Sequence, residues 1–125
     1  MHELSIAQSL FEAVQIQAHE HKASRVNSVR LRVGEASGVV TDSLLFCFEM
    51  LISLDPVLED AQLLIDRIPH RAWCAICAQE FPILYGIPQC PTCTEWSGNI
   101  LSGTELQLLE MEFEANDEIS QAQEA

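Results

Sequence analysis

Apolar residues recur at three- and four-residue steps over residues 4–21, where Leu4, Ala7, Leu10, Phe11, Val14 and Ala18 fall on one stripe of a helix. Ser5 and Gln8 have the spacing of a capping box at its start. Over residues 25–33 the period changes to two: Val29, Leu31 and Val33 alternate with Ser28, Arg30 and Arg32, the pattern of a half-buried strand. Gly34 and Gly38 bracket a loop. A second helix is then predicted from an N-cap at Thr41, with Asp42 in its first turn and Leu44, Leu45, Phe48, Leu51 and Ile52 as its buried stripe. Asp55-Pro56 is expected to end it. Residues 61–68 read as a strand stopped by Pro69. Residues 104–114 read as another, with Leu109, Met111 and Phe113 on one side and Glu110, Glu112 and Glu114 on the other.

The order helix, strand, helix, strand, cysteine-rich segment, strand predicts an α/β (α+β) fold. Two helices pack on a small three-stranded sheet, and a four-cysteine, zinc-ribbon-like module is inserted between strands that are expected to pair with each other. The expected division is residues 1–69 plus 98–114 as an α/β domain, 70–97 as the module and 115–125 as an acidic, disordered tail. Pro69 and the region of Gly98 and Gly103 are the expected hinges.

The 125 residues suit one domain with a small insertion, and 48% apolar content can supply a core. The net charge of −13 is unevenly spread. Residues 1–40 balance Glu3, Glu12, Glu20 and Glu35 against Lys22, Arg25, Arg30 and Arg32, whereas the other fifteen acids face only Arg67 and Arg71. That excess argues against a nucleic-acid partner, which needs a basic face. No apolar run approaches the ~20 residues of a membrane span, and Met1-His2-Glu3-Leu4 lacks the basic start of a signal peptide. A cytoplasmic location with no membrane partner is therefore expected.

The strongest chemical signal is Cys74-Ala-Ile-Cys77, twelve residues, then Cys90-Pro-Thr-Cys93. Each pair offers two sulfurs from one tight turn, and a hairpin bringing the turns together makes a closed tetrahedral Zn(II) site with no position left for catalysis. Two disulfides or free thiols are the alternatives. Cys47, between Phe46 and Phe48, reads as a buried core cysteine, and His19 and His21 as surface residues. No nucleophile elbow, phosphate loop or His-Glu-x-x-His pair is present, so no catalytic residues are assigned.

A second metal site is conceivable at the N-terminus. The amine of Met1, the amide nitrogens of His2 and Glu3 and the His2 imidazole can wrap a metal in a square plane, an arrangement suited to Ni(II) or Cu(II). Amides at a helix start have no intrahelical acceptor, so losing their protons breaks no helical hydrogen bond. Glu3 adds an oxygen or a balancing charge.

Met1-His2-Glu3-Leu4-Ser5, Val33-Gly34-Glu35-x-Ser37-x-Val39, Phe46-Cys47-Phe48 and the paired cysteines, in this order, resemble the hydrogenase maturation factor HypA/HybF family. The resemblance extends to about Phe113; the acidic tail lies outside it. It implies a nickel metallochaperone in [NiFe]-hydrogenase maturation, delivering Ni(II) to the hydrogenase large subunit with the GTPase HypB as partner. It implies nickel at Met1, His2 and Glu3 and zinc at Cys74, Cys77, Cys90 and Cys93. Service to urease and a homodimeric state both stay open. The rival from another class is a zinc-ribbon protein–protein interaction module without transferable metal; a thiol–disulfide enzyme is a more distant one.

Overall fold

The computed structural model describes residues 3–115. The elements are α1 (Glu3–Glu20), β1 (Ala23–Gly34), α2 (Thr41–Ile52), β2 (Gln62–Ile68), β3 (Arg71–Cys74), β4 (Gln79–Pro82), β5 (Ile100–Ser102) and β6 (Leu106–Ala115). They form two three-stranded sheets, ordered β2-β1-β6 and β4-β3-β5. The fold is α+β, as the periodicities predict. The expected pairing of the strands that flank the cysteine segment is corrected, because β1 lies between β2 and β6. The physical reason is visible in β1. Val26, Val29, Leu31 and Val33 are all buried along its length, and the intervening Arg30 and Arg32 are half-buried, as suits a strand with neighbours on both edges. Arg30 meets Glu110 of β6 through Nε at 3.1 Å.

The described residues divide into two compact units. One contains 3–31, 39–65 and 108–115; the other contains 32–38 and 66–107. In the first, α1 packs on α2. Ile6, Ala7, Leu10, Val14 and Ala18 from α1 and Leu44, Phe48 and Ile52 from α2 are buried, with Leu58 and Ala61 beyond them. The predicted stripe of α1 shifts at its start: Leu4 is 50% exposed and Ile6 takes the inward place. Ser5 lies inside the helix, since α1 already begins at Glu3. At α2 the cap is Val40, one residue before the expected Thr41, and its side chain makes no capping bond. The helix stops at Ile52, ahead of Asp55-Pro56, with Ser53 as C-cap. Asp55 instead organises the next turn: its Oδ1 accepts from the Val57 N–H at 2.8 Å and its Oδ2 from Gln15 Nε2 at 2.9 Å. Cys47 is half-buried rather than fully enclosed.

In the second unit β3 pairs antiparallel with β4, from Arg71 opposite Pro82 to Cys74 opposite Gln79, and with β5 on its other edge. Backbone segments also approach closely here. The Gly34 N–H donates to the Glu105 carbonyl at 2.8 Å, the Ala36 N–H to the Gly103 carbonyl at 2.7 Å and the Glu35 N–H to the Ile68 carbonyl at 2.9 Å. No described helix is long and apolar enough to cross a membrane.

Candidate metal centres

Each cysteine pair sits on a turn shaped by the backbone around it. Cys74 ends β3 and Gln79 begins β4, so Cys74 to Ala78 must reverse the chain within a few residues, and Ala78 takes a left-handed φ of 53° to do so. The Cys77 N–H points back to Cys74 Sγ at 3.4 Å. The second turn repeats the device. Thr94, directly after Cys93, has φ 64°, its N–H donates to the Cys90 carbonyl at 2.9 Å, and the Cys90 N–H donates to the Glu95 carbonyl at 2.9 Å. Gln79 Nε2 reaches Thr92 Oγ1 at 3.2 Å and joins the two turns. These supporting residues were missed from sequence. Glycine or asparagine after each second cysteine would have signalled the left-handed conformation, but alanine and threonine do not.

The result is four sulfurs within 4.8 Å of one another. Cys74 and Cys93 Sγ are 3.5 Å apart, and Cys77 and Cys90 Sγ are 3.9 Å apart. Disulfide sulfurs would be separated by ~2.05 Å, and all five cysteines are free thiols. A tetrahedron with ~2.3 Å metal–sulfur bonds has edges of ~3.8 Å. The cluster therefore has the spacing and the donor set that fit zinc. Cys74 and Cys90 are buried with Ala72, Phe81 and Ile83, and Cys77 and Cys93 pack against that cluster from its surface.

Without metal, Cys77, Cys90 and Cys93 do not ionise together. The Cys77 thiol is pushed up to about 12, first by its hydrogen bond to Cys93, then by burial and by the other two sulfurs. Cys90 is lowered to about 7, chiefly by the Cys93 backbone N–H donating to its sulfur, against the effect of burial. The Glu95 backbone pulls Cys93 down, but burial and the Cys74 thiol outweigh it and leave Cys93 raised. At pH 7 zinc must therefore displace protons from at least Cys77 and Cys93. Because the metal-free state holds more protons than the metal-bound state, zinc affinity rises with pH. Its logarithm is expected to climb by at least about two per pH unit near neutrality and by at least about three below pH 7, where Cys90 also carries a proton. Competition with a chromogenic chelator across pH 6–8 measures the slope, and a pH-independent affinity would refute it.

The other expected site falls mostly beyond view. Met1 and His2 lie outside the described residues. Glu3 opens α1, and its Oε2 accepts a hydrogen bond from the backbone N–H of Val40 at 3.2 Å. His19 lines a cleft of about 460 Å³ with Lys22, Gln15 and Asp55. His21 is exposed, with Nδ1 2.8 Å from the Gln17 carbonyl and its ring 5.5 Å from that of Phe113. Neither histidine belongs to a metal-ligand cluster among the described residues. Beyond residue 115 the acidic tail, expected to be disordered, also lies outside the described residues.

An α+β fold whose four cysteine sulfurs lie at metal-ligand spacing, the one such cluster among the described residues, defines a metal-binding protein. Comparison with known proteins is more specific. The family model for hydrogenase/urease nickel incorporation, metallochaperone, HypA, matches residues 1–113. The chain is 41% identical over 114 residues to the hydrogenase maturation factor HypA of Geobacter metallireducens, covering 91% of this chain and all of that protein. It is 42% identical over 118 residues to HypA of Streptomyces avermitilis, covering 91% of this chain and 88% of that one. The solution structure of the Ni metallochaperone HypA from Helicobacter pylori superposes with a TM-score of 0.66 at 27% identity, covering 93% of this chain and all of the other. The chain belongs to the HypA family of nickel metallochaperones for hydrogenase maturation.

Proposed function

We propose that this protein carries Ni(II) at its N-terminus and delivers it to the large subunit of [NiFe]-hydrogenase, working with the GTPase HypB in the cytoplasm, while Cys74, Cys77, Cys90 and Cys93 hold a structural Zn(II). The supporting observation is the extent of the family match. It runs from residue 1 to residue 113 and so takes in Met1-His2-Glu3 together with all four cysteines. Nickel is cargo in this reading. The amine of Met1, the amide nitrogens of His2 and Glu3 and the His2 imidazole form an all-nitrogen square plane. Glu3 is the first residue of α1; its amide has no acceptor within the helix, and the positive end of the helix dipole favours the anionic form that binds metal.

Such a site suits transfer rather than catalysis. Four nitrogen donors at a chain end can be released one after another, whereas the tetrathiolate is closed and anchored in a core. Cu(II) binds such nitrogen donors more tightly than Ni(II), so selectivity comes from metal supply and from partner contacts. The rival reading, an interaction module with no transferable metal, draws on one feature of the cysteine-bearing unit. Tyr85 is 98% exposed and Trp96 66% exposed, with Leu84 and Ile87 also at the surface, side chains of a kind that protein contacts use. The two readings separate cleanly. A few residues added before Met1, or His2→Ala, abolish stoichiometric nickel uptake in the chaperone reading and leave zinc content unchanged. The interaction-module reading predicts that neither change affects partner binding or hydrogenase maturation.

A further inference from the structure

Helix α2 lacks the capping residues its sequence should provide. Its N-cap is Val40, in an extended conformation with φ −84° and ψ 106°, and a valine side chain has no acceptor to offer. Three residues on, where a capping box places a Glu or Gln whose side chain bonds back to the N-cap N–H, stands Ser43. The Val40 N–H is nevertheless satisfied. Its acceptor is the carboxylate of Glu3, thirty-seven residues earlier in the chain and the first residue of α1, at 3.2 Å. Glu3 thus does for α2 what the missing box residue would do, from a different helix.

We propose that the Glu3 side chain is a positioning residue for the metal-binding N-terminus rather than a donor to nickel. Its carboxylate is the capping acceptor of α2, and that bond holds the start of α1 in place. The inference rests on the nickel reading above and narrows the role of Glu3 within it. The backbone nitrogen of Glu3 remains a metal donor; its side chain is committed elsewhere. Three features make the bond an effective tether. The two helices pack directly on each other, with Ile6, Leu10, Leu44 and Phe48 buried, which restrains their ends. Glu3 and Asp42 both place negative charge at the N-terminal end of α2, where the helix dipole favours it. Gly38, two residues before Val40, adopts φ 80°, a left-handed conformation that glycine takes without strain. Holding Glu3 fixes its backbone nitrogen, one of the four proposed donors, before the metal arrives. Nickel then orders fewer bonds on binding, and affinity gains accordingly.

The test compares Glu3→Ala and Glu3→Gln in the full, zinc-loaded chain. Glutamine keeps an oxygen that accepts from Val40 but is a poor metal ligand; alanine keeps neither property. Two quantities are read: the amide exchange rate of Val40 without nickel, and nickel affinity by titration. Glu3→Ala is expected to speed Val40 exchange and weaken nickel binding, each by about tenfold, the scale of a lost cap. Glu3→Gln is expected to restore both to within about threefold of the parent. The proposal is overturned if glutamine protects Val40 but binds nickel as poorly as alanine, since the carboxylate is then a ligand. It is also overturned if alanine leaves both readouts unchanged. Failure of the parent chain to take up nickel would refute the nickel reading itself. Val40 exchange, measured without nickel, still decides whether the tether exists.

Discussion

Serine in place of Cys90 is expected to abolish zinc binding and unfold the unit that carries the cysteines, while α1 and α2 keep their structure. Cys90 is fully buried in a cluster with Ala72, Cys74, Phe81 and Ile83. So small a core contributes little. Burying Phe81 and Ile83 supplies about 1.5–3 kcal/mol each, whereas ordering the backbone costs about 1–2 kcal/mol for every residue fixed. A bound zinc would cover the deficit, since a structural tetrathiolate zinc contributes an apparent 10–16 kcal/mol or thereabouts at pH 7, roughly several-fold more than those two side chains. Loss of one thiolate leaves an incomplete tetrahedron and a hydroxyl in an apolar place. Zinc should fall from about one per chain to near zero by metal analysis. Amide protection should vanish along β3 and β4 and persist in α1 and α2, whose core of Leu10, Val14, Leu44 and Phe48 contains no cysteine ligand. Cys47→Ser, at a half-buried position outside the cluster, is the control and should keep its zinc. Zinc retained by Cys90→Ser with intact β3 protection would contradict this picture.

The second large effect is expected at Gly103. A Cβ there would lie 2.4 Å from the His70 Cα, and the residue has φ 109°, a conformation that side chains rarely adopt. Its carbonyl accepts from Ala36, and the facing Gly34 is just as tightly placed, with 2.1 Å from its own virtual Cβ to the Gly103 carbonyl carbon. The His70 ring can swing aside, but the His70 Cα and Cβ that face Gly103 and the backbone of Gly103 and Thr104 that faces Gly34 cannot. Gly103→Ala should cost about 2–5 kcal/mol, the sum of overpacking and left-handed strain. Gly98→Ala makes the matched comparison. Nothing lies within 4 Å of its added methyl and its φ is unexceptional, so stability should stay level or rise by about 0.4–1 kcal/mol. Denaturant unfolding of the zinc-loaded variants measures both, and equal stabilities would be the contrary result.

These two glycines also show what a sequence can and cannot reveal. Both stand between polar residues after the last cysteine and read alike as flexible points; the approach of His70 and the positive φ of Gly103 separate them. What was legible depended on local pattern. The helices and β1 follow from periodicity because one stripe or face is buried, and the cysteine cluster follows from spacing because a tight turn between two ligands leaves little geometric freedom. Strand order was not legible. The position of β1 between β2 and β6 depends on contacts far apart in the chain, and Arg30 and Arg32 disguise a central strand as an exposed one. The small sheet of β3, β4 and β5 was hidden by its brevity, four, four and three residues long. The cap of α2 was misplaced by one residue because its acceptor comes from Glu3, at a distance no local motif encodes.

The proposed function assigns zinc to one unit and the nickel cargo to the N-terminus. The most direct test of that division is nickel titration of the untagged chain beside His2→Ala, with zinc counted in the same samples. The expected result is one Ni(II) taken up per parent chain and none by His2→Ala, with about one zinc retained in both. Equal nickel uptake by the two proteins, or nickel that enters only as zinc leaves, would contradict it.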